Sequence, residues 1–327
     1  MIDLFGLLKD TGAYKTVCGD KKSGRLSHAY LLLTPDGENL TEYLKVFARL
    51  LACESEQPCF DCRTCKLIGE NSFTDVILFP KDNAATVSSE QVAELISESF
   101  VKPLEANKKI FLITNAQNMN ASAQNKLLKT LEEPPRGVHI IMGATSEFPL
   151  LSTIKSRVKK LEIPSFTGDK LFEALKQDYP DTERLLAAIA CGDGTVGQAQ
   201  LNYADESLKE LTALCQEIIV DMSSSSEVLK YSTKIALSKC DIGKFLSVLE
   251  LLFRDLLVYT EGKKELISNK SFTKIKEAKG YKTGSIINAL EKINQAAERK
   301  KFNANATMLI EWLLFQILEG KYKWQKL

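Results

Sequence analysis

The first half of the sequence alternates short, continuously apolar runs with segments of helical periodicity, and this alternation limits the possible folds. Apolar runs occupy residues 28–33, 75–79, 110–114 and 138–144, and a weaker candidate lies at 158–163. Helical patterns separate them at residues 40–51, 88–101 and 120–132. Strands that are apolar throughout and separated by helices indicate an α/β fold with a parallel sheet covered on both faces. Ligands of such sheets bind beyond the carboxyl ends of the strands.

The pattern changes after Pro164, and three parts can be distinguished. Residues 1–164 carry the strand–helix alternation, and residues 165–208 read as short helices around a glycine-rich turn. Residues 209–327 show long amphipathic helices at 210–222, 242–259, 285–299 and 306–319, with the serine run at 223–226 interpreted as a loop. The sequence therefore predicts a sheet domain, a small helical domain and a larger all-α domain.

Charge and hydropathy exclude several classes of protein. The chain has 43 basic and 42 acidic residues, whereas a protein that holds nucleic acid tightly by itself is usually more basic. No apolar run approaches the ~20 residues needed to span a bilayer. The first ten residues lack the basic and apolar regions of a signal peptide, so we expect a cytoplasmic protein without membrane contact.

Four of the eight cysteines lie within thirteen residues, as Cys53, Cys59, Cys62 and Cys65. In a reducing compartment such clusters are more often metal ligands than disulfides. Four thiolates suit a tetrahedral zinc ion and leave no position for water or substrate, which predicts a structural site. An iron–sulfur cluster, a redox Cys-x-x-Cys pair and four unrelated buried cysteines are the alternatives. A free-standing zinc protein that binds nucleic acid is disfavoured by the near-neutral charge.

The loop after the first apolar run stands where a phosphate-binding loop would stand, between a strand and a helix. Aligned with the pattern G-x-x-x-x-G-K-[ST], Thr34 and Asn39 replace the two glycines, Leu40 replaces the lysine, and Gly37 and Thr41 complete the degenerate loop. Leucine cannot supply the charge that reaches the β- and γ-phosphates. On the loop alone, an ordinary strand-to-helix turn is the favoured interpretation, and we expect no bound ATP.

The end of the third apolar run points the same way. A nucleoside triphosphatase of this class has an Asp for magnesium and a neighbouring Glu for the attacking water at this position. Here Ile113 is followed by Thr114 and Asn115, neither of which has a carboxylate. The sequence therefore predicts a protein without intrinsic ATP hydrolysis.

Several segments resemble one known family. Asn125-Lys-Leu-Leu-Lys-Thr-Leu-Glu-Glu-Pro-Pro135 is similar to the N-A-L-L-K-x-L-E-E-P-P segment of bacterial clamp-loader AAA+ subunits, with Lys126 in place of alanine. Residues 152–158 are similar to the S-R-C segment of that family, with Val158 in place of cysteine. The cysteine quartet matches the zinc module of the family in place and spacing. The resemblance covers the first 165 residues well and the remainder more loosely.

The resemblance implies an AAA+ P-loop-type sheet domain with a zinc module, a small helical lid domain and an all-α C-terminal collar domain for oligomerisation. It also implies a role in the DNA polymerase III holoenzyme, where a hetero-oligomeric clamp loader places the sliding clamp on primed DNA. The partners would be motor subunits of the gamma or tau type and the delta subunit. Because the pocket departs from that of the motors, we expect the kind of subunit that keeps the fold without ATP chemistry. A divergent ATP-hydrolysing motor is the alternative.

Arg157 is the residue to which the resemblance assigns a catalytic contribution. It would act in trans as an arginine finger, reaching the γ-phosphate bound by a neighbouring motor subunit. Such an arginine offsets the charge that develops in phosphoryl transfer and contributes roughly 10³–10⁵ in rate in GTPases. On its residues alone, a surface arginine near Lys155, Lys159 and Lys160 and paired with Glu162 is the favoured interpretation, and the surrounding motif reverses that preference.

Overall fold

The computed structural model describes residues 3–81, 84, 86–237, 241–262, 278, 280–301 and 305–323. Residue contacts divide the chain into two compact units. The first comprises Met1–Lys170 together with Thr195–Gly197, and the second comprises Leu171–Gly194 together with Gln198–Leu327. The division at residues 164 and 208 predicted from the sequence is finer than this, and it stays a prediction.

The first unit is built on a parallel sheet. Its strands are β1 (Ala29–Leu33), β2 (Val76–Phe79), β3 (Lys109–Ile113), β4 (Val138–Ala144) and β5 (Lys159–Glu162). Their order is β2-β3-β4-β1-β5, and every neighbouring pair is parallel. Each strand agrees with a predicted apolar run to within one residue at either end, so the predicted α/β fold is confirmed.

Burial explains why some strands were easier to predict than others. Every residue of β3 and β4 is buried, as expected for central strands that are covered on both faces. In β5, Leu161 alone is buried, because this strand lies at the edge of the sheet next to β1. An edge strand tolerates charged side chains, and its hydrophobic pattern is correspondingly weak.

The helices of the first unit follow the strands. They are α1 (Leu4–Leu8), α2 (Gly12–Lys22), α3 (Leu40–Ala52), α4 (Arg63–Gly69), α5 (Ser89–Ser99), α6 (Ala121–Glu132) and α7 (Ser152–Lys155). The predicted capping box of α5 is present, with Gln91 N donating to Ser88 Oγ at 3.3 Å and Ser88 N donating to Gln91 Oε1 at 3.4 Å. Helix α6 ends before Pro134, as predicted.

Helices also form the remainder of the described chain. They are α8 (Gly168–Leu175), α9 (Thr182–Ala190), α10 (Val196–Ala204), α11 (Glu206–Asp221), α12 (Ser225–Leu237), α13 (Ile242–Thr260), α14 (Thr283–Lys301) and α15 (Ala306–Lys323). No strand follows Glu162 among the described residues. The large apolar core of the second unit joins side chains from α9, α11–α15 and their connections, including Phe245 and Phe253.

Helix α12 was not predicted, and the interpretation of residues 223–226 as a loop was partly wrong. The helix begins at Ser225, inside the serine run. The carboxylate of Glu227 accepts hydrogen bonds from the backbone N–H groups of Ser223 and Ser224 at 2.7 and 2.9 Å. Serine favours positions at helix starts, so the run marks a helix start as well as a turn.

Within the described part of the chain, every helix is too short or too polar to cross a lipid bilayer.

Candidate functional site

The four clustered cysteines lie together at the end of α3 and the start of α4. Cys53 is the C-cap of α3, Cys62 is the N-cap of α4, and Cys65 lies within α4. The four Sγ atoms are all within 4.8 Å of one another. Cys59 Sγ is 3.7 Å from Cys53 Sγ and 3.9 Å from Cys65 Sγ. The predicted proximity of the quartet is therefore present in the fold.

These separations fit a single tetrahedral ion. Zinc–sulfur bonds of about 2.3 Å place the corners of a regular tetrahedron about 3.8 Å apart. This value lies between the two Sγ–Sγ separations of 3.7 and 3.9 Å. Two backbone N–H groups point at sulfur atoms, Cys62 N at Cys59 Sγ (3.3 Å) and Cys65 N at Cys62 Sγ (3.4 Å). The residues present therefore fit a four-thiolate zinc site.

Protonation of the free thiols differs across the cluster. Hydrogen bonds from the backbone N–H groups of Cys62 and Asp61 lower the pKa of Cys59 to about 6. Burial raises the pKa of Cys65 to about 12. Because a metal binds the thiolate form, loading the cluster has to displace the proton of Cys65.

Side chains outside the quartet hold it in shape, and sequence analysis missed them. Lys21 Nζ donates to the carbonyl oxygens of Cys53 and Ser55 at 2.7 and 2.6 Å. Arg49 Nε donates to the carbonyl oxygen of Cys65 at 2.9 Å, and its guanidinium lies 5.0 Å from the ring centroid of Phe60. Phe60 has a φ of +57°, which is unusual for a bulky residue and which no sequence pattern reveals.

The degenerate phosphate-binding loop lies between β1 and α3, as predicted. Leu40, at the position of the lysine, is 1% exposed. A Cβ atom built on Gly143 of β4 would lie 2.8 Å from Leu40 Cδ1, so the leucine side chain packs directly on the glycine. Leu40 has therefore become part of the core.

The backbone donors of this loop are directed inside the protein. Thr34 N donates to Ala144 O, and Asp36 N donates to Thr34 Oγ1. Gly37 N donates to Pro35 O, and Leu40 N donates to Gly37 O at 3.4 Å. A phosphate-binding loop instead turns its N–H groups toward the ligand.

Asp36 is a residue that sequence analysis did not single out. Its side chain is 3% exposed, and its Oδ1 accepts from Asn39 N at 3.2 Å. The hydroxyl of Tyr43 donates to Asp36 Oδ2 at 2.8 Å. Burial, and then the charge of Asp36, raises the pKa of Tyr43, so this hydroxyl stays protonated and able to donate.

The end of β3 carries amide and hydroxyl groups where a triphosphatase has carboxylates. Thr114 is buried, and both its backbone N and its Oγ1 donate to Phe79 O, at 2.9 and 3.2 Å. Asn115 has a φ of +50°, and its Oδ1 accepts from Gln117 Nε2 at 3.4 Å. Neither residue supplies a charged ligand for magnesium.

Arg157 follows α7, and its guanidinium is held within the first unit. Nη2 lies 2.7 Å from Glu132 Oε1, and Nη1 donates to Thr153 O at 2.9 Å and to Ser156 Oγ at 3.0 Å. The side chain is 35% exposed. The suggested partner Glu162 was wrong, because Glu162 pairs with Lys160 at 2.9 Å. Glu132 belongs to the L-E-E-P-P segment, which sequence analysis used to identify the family resemblance without predicting its contact with Arg157.

Known proteins are similar to the part of the chain that carries these features. The profile described as DNA polymerase III, delta subunit, matches residues 10–167, which include the cysteine cluster, the loop and Arg157. The chain is 28% identical to DNA polymerase III subunit delta' of Bacillus subtilis over 311 residues, covering 90% of this chain and 92% of that protein. It is 31% identical to DNA polymerase III subunit gamma of Buchnera aphidicola over 156 residues, covering 47% of this chain and 43% of that protein.

The solved structures that resemble this chain include the Bacillus subtilis DNA clamp loader delta protein. It is 12% identical with a TM-score of 0.37, and the match covers 93% of this chain and 99% of that chain. The alignment with the delta' subunit covers nine tenths of both proteins, whereas the alignment with the gamma subunit covers less than half of either. The chain is therefore similar over most of its length to a bacterial DNA polymerase III delta' subunit, and over part of its length to gamma subunits.

Proposed function

We propose that this chain is the delta'-type subunit of a clamp loader, a subunit that lacks ATP hydrolysis of its own and acts on the nucleotide of a neighbour. Its partners in this role are motor subunits of the gamma or tau type, the delta subunit, the sliding clamp and primed DNA. The observation that supports this most directly is the state of the loop between β1 and α3. Leu40 is buried in the core, and the loop N–H groups donate inside the protein.

The end of β3 supports the same proposal independently. Hydrolysis of ATP requires a bound magnesium ion and an oriented water molecule, which carboxylates provide in this class of enzyme. Thr114 and Asn115 offer an alcohol and an amide, and the Thr114 hydroxyl donates to Phe79 O. Two separate parts of the pocket thus lack the groups that the reaction needs.

Arg157 is the charged group that we assign to a neighbour's nucleotide. It is partly exposed, and a short helix and the end of α6 position its guanidinium. A guanidinium that reaches the γ-phosphate from a neighbouring subunit stabilises the transition state of phosphoryl transfer. The chain that supplies this guanidinium does not need to bind a nucleotide itself. The ion pair with Glu132 is partly exposed, so releasing it costs little.

The cysteine cluster is assigned to zinc with a structural role. Four thiolates complete the coordination of one ion, and such a site stabilises the fold around it. The cluster connects α3 with α4 and receives further hydrogen bonds from Lys21 and Arg49. We therefore place the metal outside the chemistry of ATP hydrolysis.

The test uses the purified chain and the reconstituted complex. The chain alone should not turn over ATP, and Arg157→Ala should lower the DNA-stimulated ATPase of the complex by tenfold or more, consistent with the roughly 10³–10⁵ effect of arginine fingers. Arg136→Ala, which changes an exposed arginine of the same unit, is the matched control and should leave turnover unchanged. Equal turnover in the Arg157→Ala and Arg136→Ala complexes would remove the finger assignment.

The similarity to gamma and tau subunits supports a second candidate, an ATP-hydrolysing motor. Isothermal titration of the isolated chain with ATP and magnesium separates the two. Tight binding accompanied by hydrolysis would favour the motor, and the absence of binding heat favours the delta'-type role.

A further inference from the structure

We propose that Asp36 is a resident anion, a carboxylate that takes the place of a bound phosphate and holds the β1–α3 turn to residues 195–197 without nucleotide. This proposal goes beyond the proposed function, because it concerns what holds the β1–α3 turn in its conformation and not what the subunit does in a clamp loader. Residues 195–197 belong to the same compact unit as Asp36.

The first observation is the set of donors around the carboxylate. Asn39 N donates to Asp36 Oδ1 at 3.2 Å, and Val196 N and Gly197 N donate to Asp36 Oδ2 at 3.1 and 3.2 Å. Tyr43 Oη donates to Asp36 Oδ2 at 2.8 Å, and the side-chain Nδ2 of Asn39 donates to the two carboxylate oxygens at 3.3 and 3.4 Å. A buried carboxylate is tolerated only when its oxygens are satisfied in this way.

The second observation is where these donors lie in the secondary structure. Asn39 is the N-cap of α3, and Val196 is the first residue of α10. The N–H groups of two residues at helix starts, Asn39 and Val196, therefore donate to one carboxylate. The N-terminus of a helix carries partial positive charge and free N–H groups, the combination that binds phosphate in nucleotide-binding loops.

The third observation is the tight fit of the two segments. A Cβ atom built on Gly197 would lie 2.6 Å from Asp36 Oδ1 and 2.5 Å from Glu38 Cβ. Only glycine allows the backbone of residues 195–197 to approach the turn this closely. The Asp36 carboxylate thus accepts the hydrogen bonds, and the absence of a Cβ atom at Gly197 allows the two backbone segments to come close enough to form them.

The resident anion also accounts for the exclusion of nucleotide. A phosphate that enters the turn meets a carboxylate of the same sign, and the N–H groups of the loop already donate within the protein, that of Asn39 to this carboxylate. The phosphate-binding turn of this chain is therefore occupied by its own side chain.

Removal of the carboxylate and its replacement by a small free anion test the proposal. In Asp36→Ala, the amides of Asn39, Val196 and Gly197 lose a charged acceptor, so their hydrogen exchange should become about tenfold faster or more. Sodium formate should slow the exchange again in a saturable way, whereas sodium chloride at equal ionic strength should not. Inorganic phosphate serves as a second probe and should act like formate.

Two control variants separate the charge from the packing. Gly197→Ala should speed exchange at the same amides by steric displacement, without any response to formate, because it leaves Asp36 in place. Asp10→Ala, which removes an exposed carboxylate of the same unit, should exchange like the unmodified protein.

Unchanged exchange in Asp36→Ala would overturn the proposal, and so would fast exchange that formate does not slow, since Asp36 would then act by shape alone. If Asp36→Ala does not fold, Asp36→Asn provides the same measurement. Its amide keeps the shape but turns an NH2 group toward the donors, so faster exchange at Val196 and Gly197 supports the proposal and unchanged exchange refutes it.

Discussion

Replacing Leu40 by the lysine of a working phosphate-binding loop should destabilise the protein and should not create an ATP site. Leu40 is 1% exposed and lies against Gly143 of β4. Truncation of a buried leucine to alanine costs about 2–5 kcal/mol. Leu40→Lys adds an ammonium group to the same space, so its loss of stability should exceed that of Leu40→Ala.

Thermal unfolding of the isolated chain measures the effect. For a unit of roughly 150–250 residues, each kcal/mol shifts the midpoint by about 2–4 °C, so a loss of about 3 kcal/mol lowers it by about 6–12 °C. Leu104→Ala is the matched control, because Leu104 is 75% exposed, and its midpoint should stay close to that of the unmodified protein.

A double-mutant cycle tests the contact between Leu40 and Gly143 directly. Gly143→Ala alone places a methyl group 2.8 Å from Leu40 Cδ1 and should cost about 1–3 kcal/mol through overpacking. In the background of Leu40→Ala the same methyl group fills the cavity, so the double variant should be more stable than the sum of the single losses by about 1 kcal/mol.

Either of two results would contradict this role of Leu40. Additive losses in the cycle would mean that Leu40 does not pack on Gly143. An unchanged midpoint for Leu40→Lys, combined with micromolar ATP binding in isothermal titration, would mean that the loop still has the geometry of a nucleotide site.

Three further predictions follow from the same unit. The isolated chain should bind one zinc ion by metal analysis, and Cys59→Ser should lower both metal content and the thermal midpoint; equal zinc content would exclude this ligand. Glu132→Gln should raise ATPase turnover of the reconstituted complex by up to about fivefold, because it frees Arg157 from a partly exposed ion pair. The control Glu133→Gln should leave turnover unchanged. Equal turnover in the two variants would mean that Glu132 does not position Arg157. Burial lowers the pKa of His139, so the stability due to its neutral form is complete above its unfolded pKa of about 6.5 and is lost as pH falls through the lower folded value. His139→Gln should therefore flatten the decline of the thermal midpoint in acid, and an unchanged profile would contradict this.

The strands were predictable because their surroundings are uniform. A strand covered on both faces is predominantly apolar, so β3 and β4 could be located from their apolar runs even though β3 begins at Lys109 and β4 contains His139. Local signals also located the capping box of α5 and the end of α6. Helix α2 carries two glycines and few apolar residues, so its sequence gave no comparable signal.

The candidate sites divide in the same way. The cysteine quartet was predictable because its members are close in sequence, and a short turn brings close residues together. Asp36 was not, because Val196 and Gly197 lie about 160 residues further along the chain and become its partners only in the folded unit. The contact between Arg157 and Glu132 likewise depends on how α7 lies against α6. Sequence patterns report local structure, whereas these contacts are set by tertiary packing.

The leucine at position 40 and the carboxylate of Asp36 can be explained together, because both replace groups of a working phosphate-binding site. In a working loop, the lysine and the helix N-terminus both need an anion, and the nucleotide supplies it. When the chain supplies that anion itself through Asp36, the N–H groups of Asn39, Val196 and Gly197 donate to one carboxylate. A lysine at position 40 would then have no phosphate to bind. The position is then free to serve the core, where a leucine stabilises the packing of α3 on β4. The loss of the cation and the presence of the carboxylate are therefore mutually consistent, and Arg157 remains as the cation assigned to phosphate chemistry in a neighbouring subunit.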